Sequence, residues 1–397
     1  MKIVVTGTRG IPDISGGVET HCENLYPRIA AMGHDVTVIR RRCYVTDKNR
    51  NPENVTDGKG NPMYKGVKLV DLYTPRKKSL EAIIHTFLAV IKAKRLKADV
   101  LHVHAIGPSI MVPFARLLGM KVVMTNHGPD YDRGKWGRMA KTVLKTGERW
   151  GTRWSNRVIV ISKVIADILR KNYGREDTDL IYNGVNAPEV SGRTDYITQM
   201  GLEPGKYVVA IGRFVKEKGF HDLIEAYKRL NRSDIRLAIA GDSDHPDEYS
   251  ETLKRQAADA GVVLTGFIKG EKLNQLRHNA ALFVLPSYHE GLPIALLEAM
   301  SEGLDVVVSD IPANKIKELA AGDFFPVGDV DALAAKMAEK LSKGMTPRQY
   351  DLTNYNWDKI AQSTVKVYEE VVGGKGRKKS GPKRKELGHD RTKKKGA

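Results

Sequence analysis

The chain has 397 residues, of which 41% are hydrophobic, and a formal net charge of +18. This length suits two domains of ordinary size better than one compact core. Only two cysteines occur, Cys22 and Cys43, which excludes a disulfide framework and indicates a reducing cytoplasm. The longest apolar stretch, residues 80–97, is interrupted by a glutamate and a histidine and falls short of the roughly 20 residues that a membrane span requires.

Strand-like and helix-like segments alternate from the N-terminus to about residue 185. Short runs rich in β-branched residues predict strands, and amphipathic stretches between them predict helices; the runs include KIVVTG, HDVTVIR, ADVLHVHA and RVIVIS. The opening run is too short for a signal peptide and is typical of a first strand. The runs are apolar throughout, as parallel strands are when both sheet faces are covered. Residues 1–187 are therefore predicted to form a doubly wound, Rossmann-like α/β domain.

Two prolines, two glycines and little periodicity in residues 188–204 predict a linker. The alternation resumes over residues 205–347, with strand-like runs KYVVAIGR, IRLAIAG, ALFVLPS and LDVVVSD, which predicts a second Rossmann-like domain. A helical segment at 348–372 is expected to pack back toward the N-terminal domain. The predicted fold class is thus α/β, with two doubly wound domains facing a cleft where the carboxyl ends of strands bind ligands.

The last 25 residues, 373–397, form a basic tail with eleven lysines or arginines against one glutamate and one aspartate. With almost nothing apolar to bury, the tail is predicted to be disordered. Nucleic acid, anionic lipid and ribosomes are all chemically suitable partners for the tail. The alternative is that it only keeps the protein soluble, because charge alone identifies no partner.

Two segments of the second half carry chemistry. In VVAIGRFVKEKGF, a strand ends near Gly212, and Arg213 and Lys218 lie in the loop before a helix that starts near Phe220; this arrangement suits a phosphate group. In SYHEGLPIALLEAM, Glu290 lies in a loop and Glu298 in the second turn of the next helix, where carboxylates can accept hydrogen bonds from sugar hydroxyls. Taken singly, each residue also fits ordinary solvated surface.

Several weaker patterns point to no cofactor. Asp242 and Asp244 form an Asp-x-Asp pattern in a loop, and His102 and His104 lie on one face of a strand, but further metal ligands are not evident from the sequence. The dinucleotide-binding pattern G-x-G-x-x-G is absent, which argues against a nicotinamide enzyme. Neither a metal nor another cofactor is predicted.

The motifs occur together and in a specific order. SYHEGLPIALLEAMSEGLDVVVSD and GRFVKEKG resemble the Glu–seven residues–Glu motif and the Arg/Lys diphosphate segment of retaining glycosyltransferases of family 4, which have the two-domain GT-B fold. IYNGVN is similar to the element that closes the N-terminal domain of that family. GTRGIPDISGGVETHCENL and TNHGPDYDRGKWG resemble a bacterial polysaccharide-assembly branch that includes many rhamnosyltransferases. The resemblance covers residues 1–372.

The resemblance implies a role for each matching residue. Arg213 and Lys218 correspond to the residues that neutralise the diphosphate, and His127 and Glu290 to those that contact the donor sugar. The remaining implied donor contacts are Gly16 and Gly17 near phosphate or sugar, Gly266 and Phe267 at the nucleobase, Gly291, Leu292 and Pro293 in the donor loop, and Glu298 at the ribose. Arg133 and Lys135 are candidates for acceptor or phosphate contacts.

The expected function is transfer of a hexose or deoxyhexose from a nucleoside-diphosphate sugar to a glycan acceptor, with retention of configuration, in bacterial cell-surface polysaccharide assembly. A lipid-linked acceptor and peripheral contact with the inner face of the plasma membrane are expected, through the basic clusters at residues 40–43 and 75–79 and the tail. The alternatives are transfer to a soluble small molecule, a nucleotide-sugar epimerase, and an inactive scaffold that binds nucleic acid, although no nucleic-acid-binding motif occurs.

Overall fold

The computed structural model describes residues 1–75, 81–132, 137–189, 192–243, 246–344 and 347–374. The strands are β1 Lys2–Thr6, β2 Asp35–Arg41, β3 Met63–Tyr64, β4 Val67–Leu72, β5 Val100–His104, β6 Val122–Asn126, β7 Arg157–Val160, β8 Thr178–Leu180, β9 Tyr207–Ile211, β10 Arg236–Ala240, β11 Val263–Gly266, β12 Leu282–Leu285, β13 Val306–Ser309 and β14 Phe324–Phe325. The α-helices are α1 Gly17–Ala31, α2 Asp47–Arg50, α3 Glu81–Arg95, α4 Val112–Leu117, α5 Arg138–Trp154, α6 Lys163–Tyr173, α7 Asp195–Gln199, α8 Phe220–Leu230, α9 Glu248–Asp259, α10 Glu271–His278, α11 Ile294–Ser301, α12 Val330–Ser342 and α13 Trp357–Val372.

The first sheet has the order β3-β4-β2-β1-β5-β6-β7-β8 and is parallel except for the β3–β4 pair. Its central strands are buried along almost their whole length, because helices cover both faces. The order reverses direction between β1 and β5, and this switch point opens a crevice at the carboxyl ends of the two strands. The loop that leads into α1 and the residues after β5 and β6 lie at this edge.

The second sheet is parallel, with the order β11-β10-β9-β12-β13-β14. Its switch point lies between β9 and β12, which are neighbours in the sheet although their first residues, Tyr207 and Leu282, are 75 positions apart in the sequence. The loop after β9 and the loop after β12 therefore meet at one edge. The predicted fold class, two doubly wound α/β units, is confirmed.

The C-terminal helix α13 belongs to the core of the first unit. Trp357, Ile360, Tyr368 and Val371 are buried among side chains of β1, β2 and α1. Asn356 caps the helix, because its side-chain oxygen accepts hydrogen bonds from the backbone N–H groups of Asp358 and Lys359 over 2.9 and 3.0 Å. The chain thus returns from the second sheet to complete the first hydrophobic core.

The segment predicted as a plain linker contains the short helix α7. Tyr196 and Ile197 from this helix are buried in the core of the second unit, beside Tyr207 and Leu276. The prediction missed α7 because a five-residue helix shows too little periodicity to be recognised. Within the described ranges, no helix is long and apolar enough to cross a bilayer. Cys22 and Cys43 form no disulfide bond.

Candidate functional site

The two predicted catalytic loops of the second unit contact each other. Lys218 Nζ lies 2.6 Å from Glu290 Oε1, and the Ser287 hydroxyl donates to the same oxygen over 2.6 Å. The side chains of Lys218 and Glu290 are only 20% and 10% exposed. Arg213 lies two positions after the end of β9, in the loop that also carries Lys218, and is half-buried. The structure therefore brings these predicted residues together at the switch point of the second sheet.

Glycines allow the loops to approach this closely. Gly219, which precedes α8, has φ +67°, and a Cβ there would lie 2.1 Å from the carbonyl oxygen of Pro286. A Cβ on Gly241 would lie 1.9 Å from the carbonyl oxygen of Gly212. The start of α8, with its N–H groups, is consequently held against the end of β12, and an anion placed there would face both a helix N-terminus and the Lys218 ammonium.

Glu298 lies in the second turn of α11 and is paired with an arginine that the sequence analysis did not identify. Arg277 Nη1 donates to Glu298 Oε2 over 3.0 Å, and its Nε donates to Glu302 over 2.6 Å. Burial raises the pKa of Glu298 above its ordinary value, and the Arg277 charge opposes this shift. The carboxylate is therefore positioned by α10, whose last turn carries Arg277, as well as by its own helix.

The predicted nucleobase segment lies at the end of β11. Gly266 has φ +67° with open space around its Cβ position, and the Phe267 ring is 48% exposed. Two residues later, Lys269 Nζ lies 2.9 Å from Glu23 on α1 and 3.5 Å from Asp13. This ion pair connects the two units beside the exposed aromatic ring.

The donor loop contacts the first unit at His127. A Cβ on Gly291 would lie 2.3 Å from the carbonyl oxygen of His127, so the backbones of the two units touch there. Asn183 adds a second connection, because its Nδ2 donates to the carbonyl oxygen of Leu292 over 2.8 Å. The loop of Gly291, Leu292 and Pro293 therefore sits directly against the end of β6, with Leu292 and Pro293 buried.

The two glycines at the start of α1 differ in their surroundings. Gly16 has φ +142°, and a Cβ there would lie 2.1 Å from the Glu19 carboxylate, so both backbone and space favour glycine. No atom lies within 4 Å of the Cβ position of Gly17. Packing within the protein therefore does not require glycine at position 17.

Four histidines form a cluster behind the cleft. The rings of His102 and His104 stack with centroids 4.2 Å apart, and His104 Nδ1 lies 2.9 Å from His127 Nε2. The His21 ring packs 5.0 Å from that of His127. Burial lowers the pKa of His21 to about 4 and of His102 to about 3, and it lowers the pKa of His104 and His127 in the same direction. The imidazoles are neutral at neutral pH.

A buried carboxylate supports the loop that carries His127. Glu148 on α5 accepts hydrogen bonds from Asn126 Nδ2 over 3.1 Å and from the hydroxyls of Tyr131 and Tyr173 over 3.0 and 2.8 Å. Asn126 Oδ1 in turn accepts from the N–H of Gly128 over 2.9 Å. This network sets the turn after β6 and links it to α5.

The predicted basic cluster at residues 40–43 is only partly at the surface, with Arg42 exposed, and other predictions fall outside the described residues. Within residues 40–43, Arg40 is fully buried and bonded to Asp71, and Arg41 pairs with Glu81. These arginines are structural and offer little charge to a membrane. Arg133 and Lys135, residues 76–79, Asp244 and the tail from residue 375 lie outside the described residues.

The residues that sequence reasoning missed are His21, Asn183, Arg277, Glu148 and Lys269. Each acts through a partner distant in sequence, such as Asn183 with His21, 162 positions apart. No local pattern marks such pairs. The sequence signal that could have indicated one of them is the resemblance of IYNGVN, which contains Asn183, to a family element, but this resemblance implied no role for Asn183.

Comparison with known proteins agrees with this architecture. An uncharacterized glycosyltransferase of Methanocaldococcus jannaschii is 28% identical, over 95% of this chain and 100% of that protein. The GDP-mannose:cellobiosyl-diphosphopolyprenol alpha-mannosyltransferase of Xanthomonas campestris is 27% identical, over 70% of this chain and 75% of its own length. The solved sucrose-phosphate synthase of Thermosynechococcus elongatus superposes with a TM-score of 0.75 at 21% identity, covering 94% of this chain and 99% of that one.

Two family models match consecutive parts of the chain. The model described as Glycosyltransferase Family 4 matches residues 15–188, and the model described as Glycosyl transferases group 1 matches residues 193–357. The junction between the two matches falls in the segment that joins the two sheets. Together with the two-sheet architecture, these matches show that the chain is a glycosyltransferase of the family 4 type with the GT-B fold.

Proposed function

We propose that the protein is a retaining hexosyltransferase that moves a hexose or deoxyhexose from a nucleoside-diphosphate sugar to a glycan acceptor in bacterial cell-surface polysaccharide assembly. The observation that carries this proposal is the contact between Lys218 and Glu290 at the switch point of the second sheet. In the proposed roles, a cation for the diphosphate lies next to a carboxylate for the sugar, at the boundary with the first unit.

The cationic residues act on the leaving group. Breaking the bond between sugar and diphosphate adds negative charge to the departing phosphate. In this proposal Lys218, Arg213 and the N-terminus of α8 stabilise this charge as it develops, and they therefore stabilise the transition state more than the ground state. This arrangement requires no metal ion, and we propose none as a cofactor.

Donor binding is proposed to replace the ion pair between Lys218 and Glu290. Before the donor binds, the Glu290 carboxylate forms an ion pair with the Lys218 ammonium, and both side chains are largely buried. A diphosphate would take over the ammonium and release the carboxylate to accept from sugar hydroxyls. The buried pair thus keeps both groups in place without leaving an isolated charge in the empty cleft.

Retention is proposed to follow from attack on the same face that the diphosphate leaves. In such a reaction the departing phosphate oxygen takes the proton of the acceptor hydroxyl, and no side chain acts as general base. His127, at the boundary between the units, is then a contact for a sugar hydroxyl. Its low pKa keeps the ring neutral, which suits a hydrogen bond and not proton transfer.

A nucleotide panel tests the donor assignment. Thermal stability would be measured with nucleoside diphosphates and nucleotide sugars, for the parent protein and for Lys218→Ala. One nucleotide sugar is expected to raise the melting temperature of the parent, and the variant should bind it more weakly and lose about 3 kcal/mol of transition-state stabilisation, or about a hundredfold in rate. The exposed Lys216 lies in the same turn, so Lys216→Ala is the matched control.

Glu290→Gln separates the two roles of the pair. This variant keeps the shape of the side chain but removes its charge, so Lys218 no longer has a competing anion. We expect it to bind the nucleoside diphosphate about three- to tenfold more tightly, the worth of a modest ion pair, while losing sugar transfer. Unchanged transfer by Glu290→Gln, or by Arg213→Ala, would contradict the assignment.

We propose further that the acceptor is lipid-linked and that α5 rests on an anionic membrane. Its exposed residues combine Met139, Trp150 and Trp154 with a set of basic residues: Arg138, Lys145, Arg149 and Arg153. The one carboxylate of this helix, Glu148, is buried. Aromatic and basic side chains on one exposed helix are typical of peripheral binding at a bilayer surface. The mannosyltransferase relative from Xanthomonas, whose named acceptor carries a polyprenol, supports this choice.

Vesicle flotation tests the membrane contact. The parent should float with vesicles that contain phosphatidylglycerol and not with neutral vesicles. Replacing Arg149 and Arg153 by alanine removes two charges, each worth about 1 kcal/mol at such a surface, and should weaken binding about 30-fold. Arg255→Ala, an exposed arginine on α9, is the control.

Deletion of residues 375–397 measures the contribution of the tail separately. Equal flotation of the parent and all these variants would remove α5 and the tail from the membrane contact, and absence of flotation of the parent would instead favour a soluble small-molecule acceptor.

A further inference from the structure

Three imidazoles from separate elements converge behind the cleft. His21 lies on α1, His104 ends β5 and His127 follows β6. One ring nitrogen from each lies within 4.8 Å of the others, and the His104 Nδ1 to His127 Nε2 distance is 2.9 Å. His21 and His104 are fully enclosed, and His127 is half-buried toward the neighbouring Gly291.

Hydrogen bonds orient His21 for a ligand. Asn183 donates through Nδ2 to the carbonyl oxygen of Leu292, so its Oδ1 is the atom that faces His21. This oxygen accepts from His21 Nδ1 over 2.9 Å, which places the proton of the neutral ring on Nδ1. The lone pair of His21 Nε2 is therefore available on the opposite side of the ring.

His104 has a comparable outer contact. Its Nε2 is hydrogen-bonded to the hydroxyl of Tyr26, which also lies 2.9 Å from His102 Nδ1. When Nε2 carries the proton, it donates a hydrogen bond to the Tyr26 oxygen, and the Tyr26 hydroxyl can donate to His102 Nδ1. Nδ1 of His104 then presents a lone pair toward His127. Second contacts of this type to oxygen are what metal-binding histidines usually have.

We propose that His21, His104 and His127 form a binding site for Zn²⁺. Three histidines and an open fourth position are a known ligand set for this ion, whereas Mg²⁺ and Ca²⁺ prefer oxygen ligands. Tetrahedral Zn²⁺ with bonds of 2.0–2.1 Å needs ligand nitrogens about 3.4 Å apart, so the rings need to move only by about an ångström or less. The ion replaces the hydrogen bond between His104 and His127.

The site has a consequence that rests on the function proposed above. If His127 contacts the donor sugar, a Zn²⁺ ion on its Nε2 fixes the ring and places a positive charge next to the sugar position. The ion then acts as a reversible inhibitor of donor binding. Metal binding itself needs no donor, so it can be tested whether or not the transfer reaction is as proposed.

Titration calorimetry of the full, donor-free chain with Zn²⁺ tests the site. We expect one saturable site that His21→Gln weakens about 100-fold or more, since loss of even an outer contact of a metal ligand costs 10- to 100-fold. His278→Gln, which removes an imidazole on α10, should leave the affinity unchanged. Co²⁺ in place of Zn²⁺ should give the visible absorption of a tetrahedral complex, and the same variant should abolish it.

Further variants make the outcome decisive. If His21→Gln does not fold, as judged by its thermal transition, His127→Gln at the half-buried loop position makes the same test. Absence of saturable Zn²⁺ binding, or equal affinity in the parent and in both variants, would overturn the site. Zn²⁺ should also raise the KM for the donor in the parent enzyme; an unaffected KM with intact metal binding would overturn only the inhibitory role.

Discussion

At the scale of single residues, the charged groups of the cleft are held by partners before any ligand is bound. Lys218 pairs with Glu290, and Arg277 pairs with Glu298. Both pairs join loops or helices that follow different strands of the second sheet. Preformed pairs of this kind reduce the reorganisation that donor binding requires.

The raised pKa of Glu298 predicts an acid limit to donor binding. The ribose contact proposed for Glu298 requires the ionised carboxylate, and burial favours the protonated form despite the nearby charges of Arg277 and Lys269. Donor affinity should therefore fall on acidification at a pH above the ordinary value of 4.5. Calorimetric titration of the donor between pH 4.5 and 8 measures this limb.

Glu298→Gln should abolish the fall of donor affinity at acidic pH and should weaken donor binding at every pH. The same shift affects stability in the opposite sense: the contribution of Glu298 is fully present below its unfolded pKa and is lost as the pH rises through the raised folded value. A donor affinity that stays constant down to pH 4.5 in the parent would contradict the ribose role.

Gly17→Ala distinguishes a ligand contact from a structural requirement. The Cβ position of Gly17 is open, so alanine in the first turn of α1 should change the free energy of unfolding by about 1 kcal/mol or less. If the donor approaches this backbone, the added methyl should weaken donor binding at least tenfold. Thermal melting and donor titration measure the two effects. Gly58→Ala, also in open space, is the control, and normal donor binding by Gly17→Ala would remove this residue from the site.

At the scale of elements, the site depends on which strands are neighbours. The predicted strands and helices follow from residue patterns, because β-branched runs and amphipathic stretches act locally. The pairing of β9 with β12 is what brings Arg213 and Lys218 to Glu290. The family resemblance implied this meeting, whereas composition and periodicity did not, since local patterns carry no information on strand order.

Gly291→Ala tests the contact between the donor loop and the end of β6. The new Cβ would lie 2.3 Å from the His127 carbonyl oxygen, a backbone atom that cannot rotate away. We expect the loop to shift, with a loss of about 1–3 kcal/mol in stability and at least tenfold in transfer rate. Gly322→Ala, where no atom lies within 4 Å, should have neither effect. Equal activity of the two variants would show that this contact is unimportant.

At the scale of the whole molecule, the end of the chain stabilises its beginning. Trp357 on α13 is 2% exposed and packs against Gly184, where a Cβ would lie 2.5 Å from the indole. Lys121 Nζ also donates to the carbonyl oxygen of Val372 over 2.8 Å. The first unit is consequently incomplete without residues that follow the second sheet.

Trp357→Ala should destabilise the first unit by about 3–5 kcal/mol, the usual cost of truncating a buried tryptophan. Denaturant unfolding followed by far-UV circular dichroism measures the loss. Trp154→Ala is the matched control, since that ring is 50% exposed and its removal should change stability by no more than about 0.5 kcal/mol. If the two variants were equally stable, α13 would not be part of the first core.

The sequence by itself determined the alternating α/β organisation, the division into two units and, through its ordered motifs, which residues are proposed to contact a donor. These properties come from local periodicity and short motifs, which the chain carries wherever it folds. Only the tertiary structure showed the four-histidine cluster, the Asn183 connection and the Arg277–Glu298 pair. Such contacts join residues far apart in the chain, so they exist only once the strand order of each sheet and the packing of α13 have brought their backbones together.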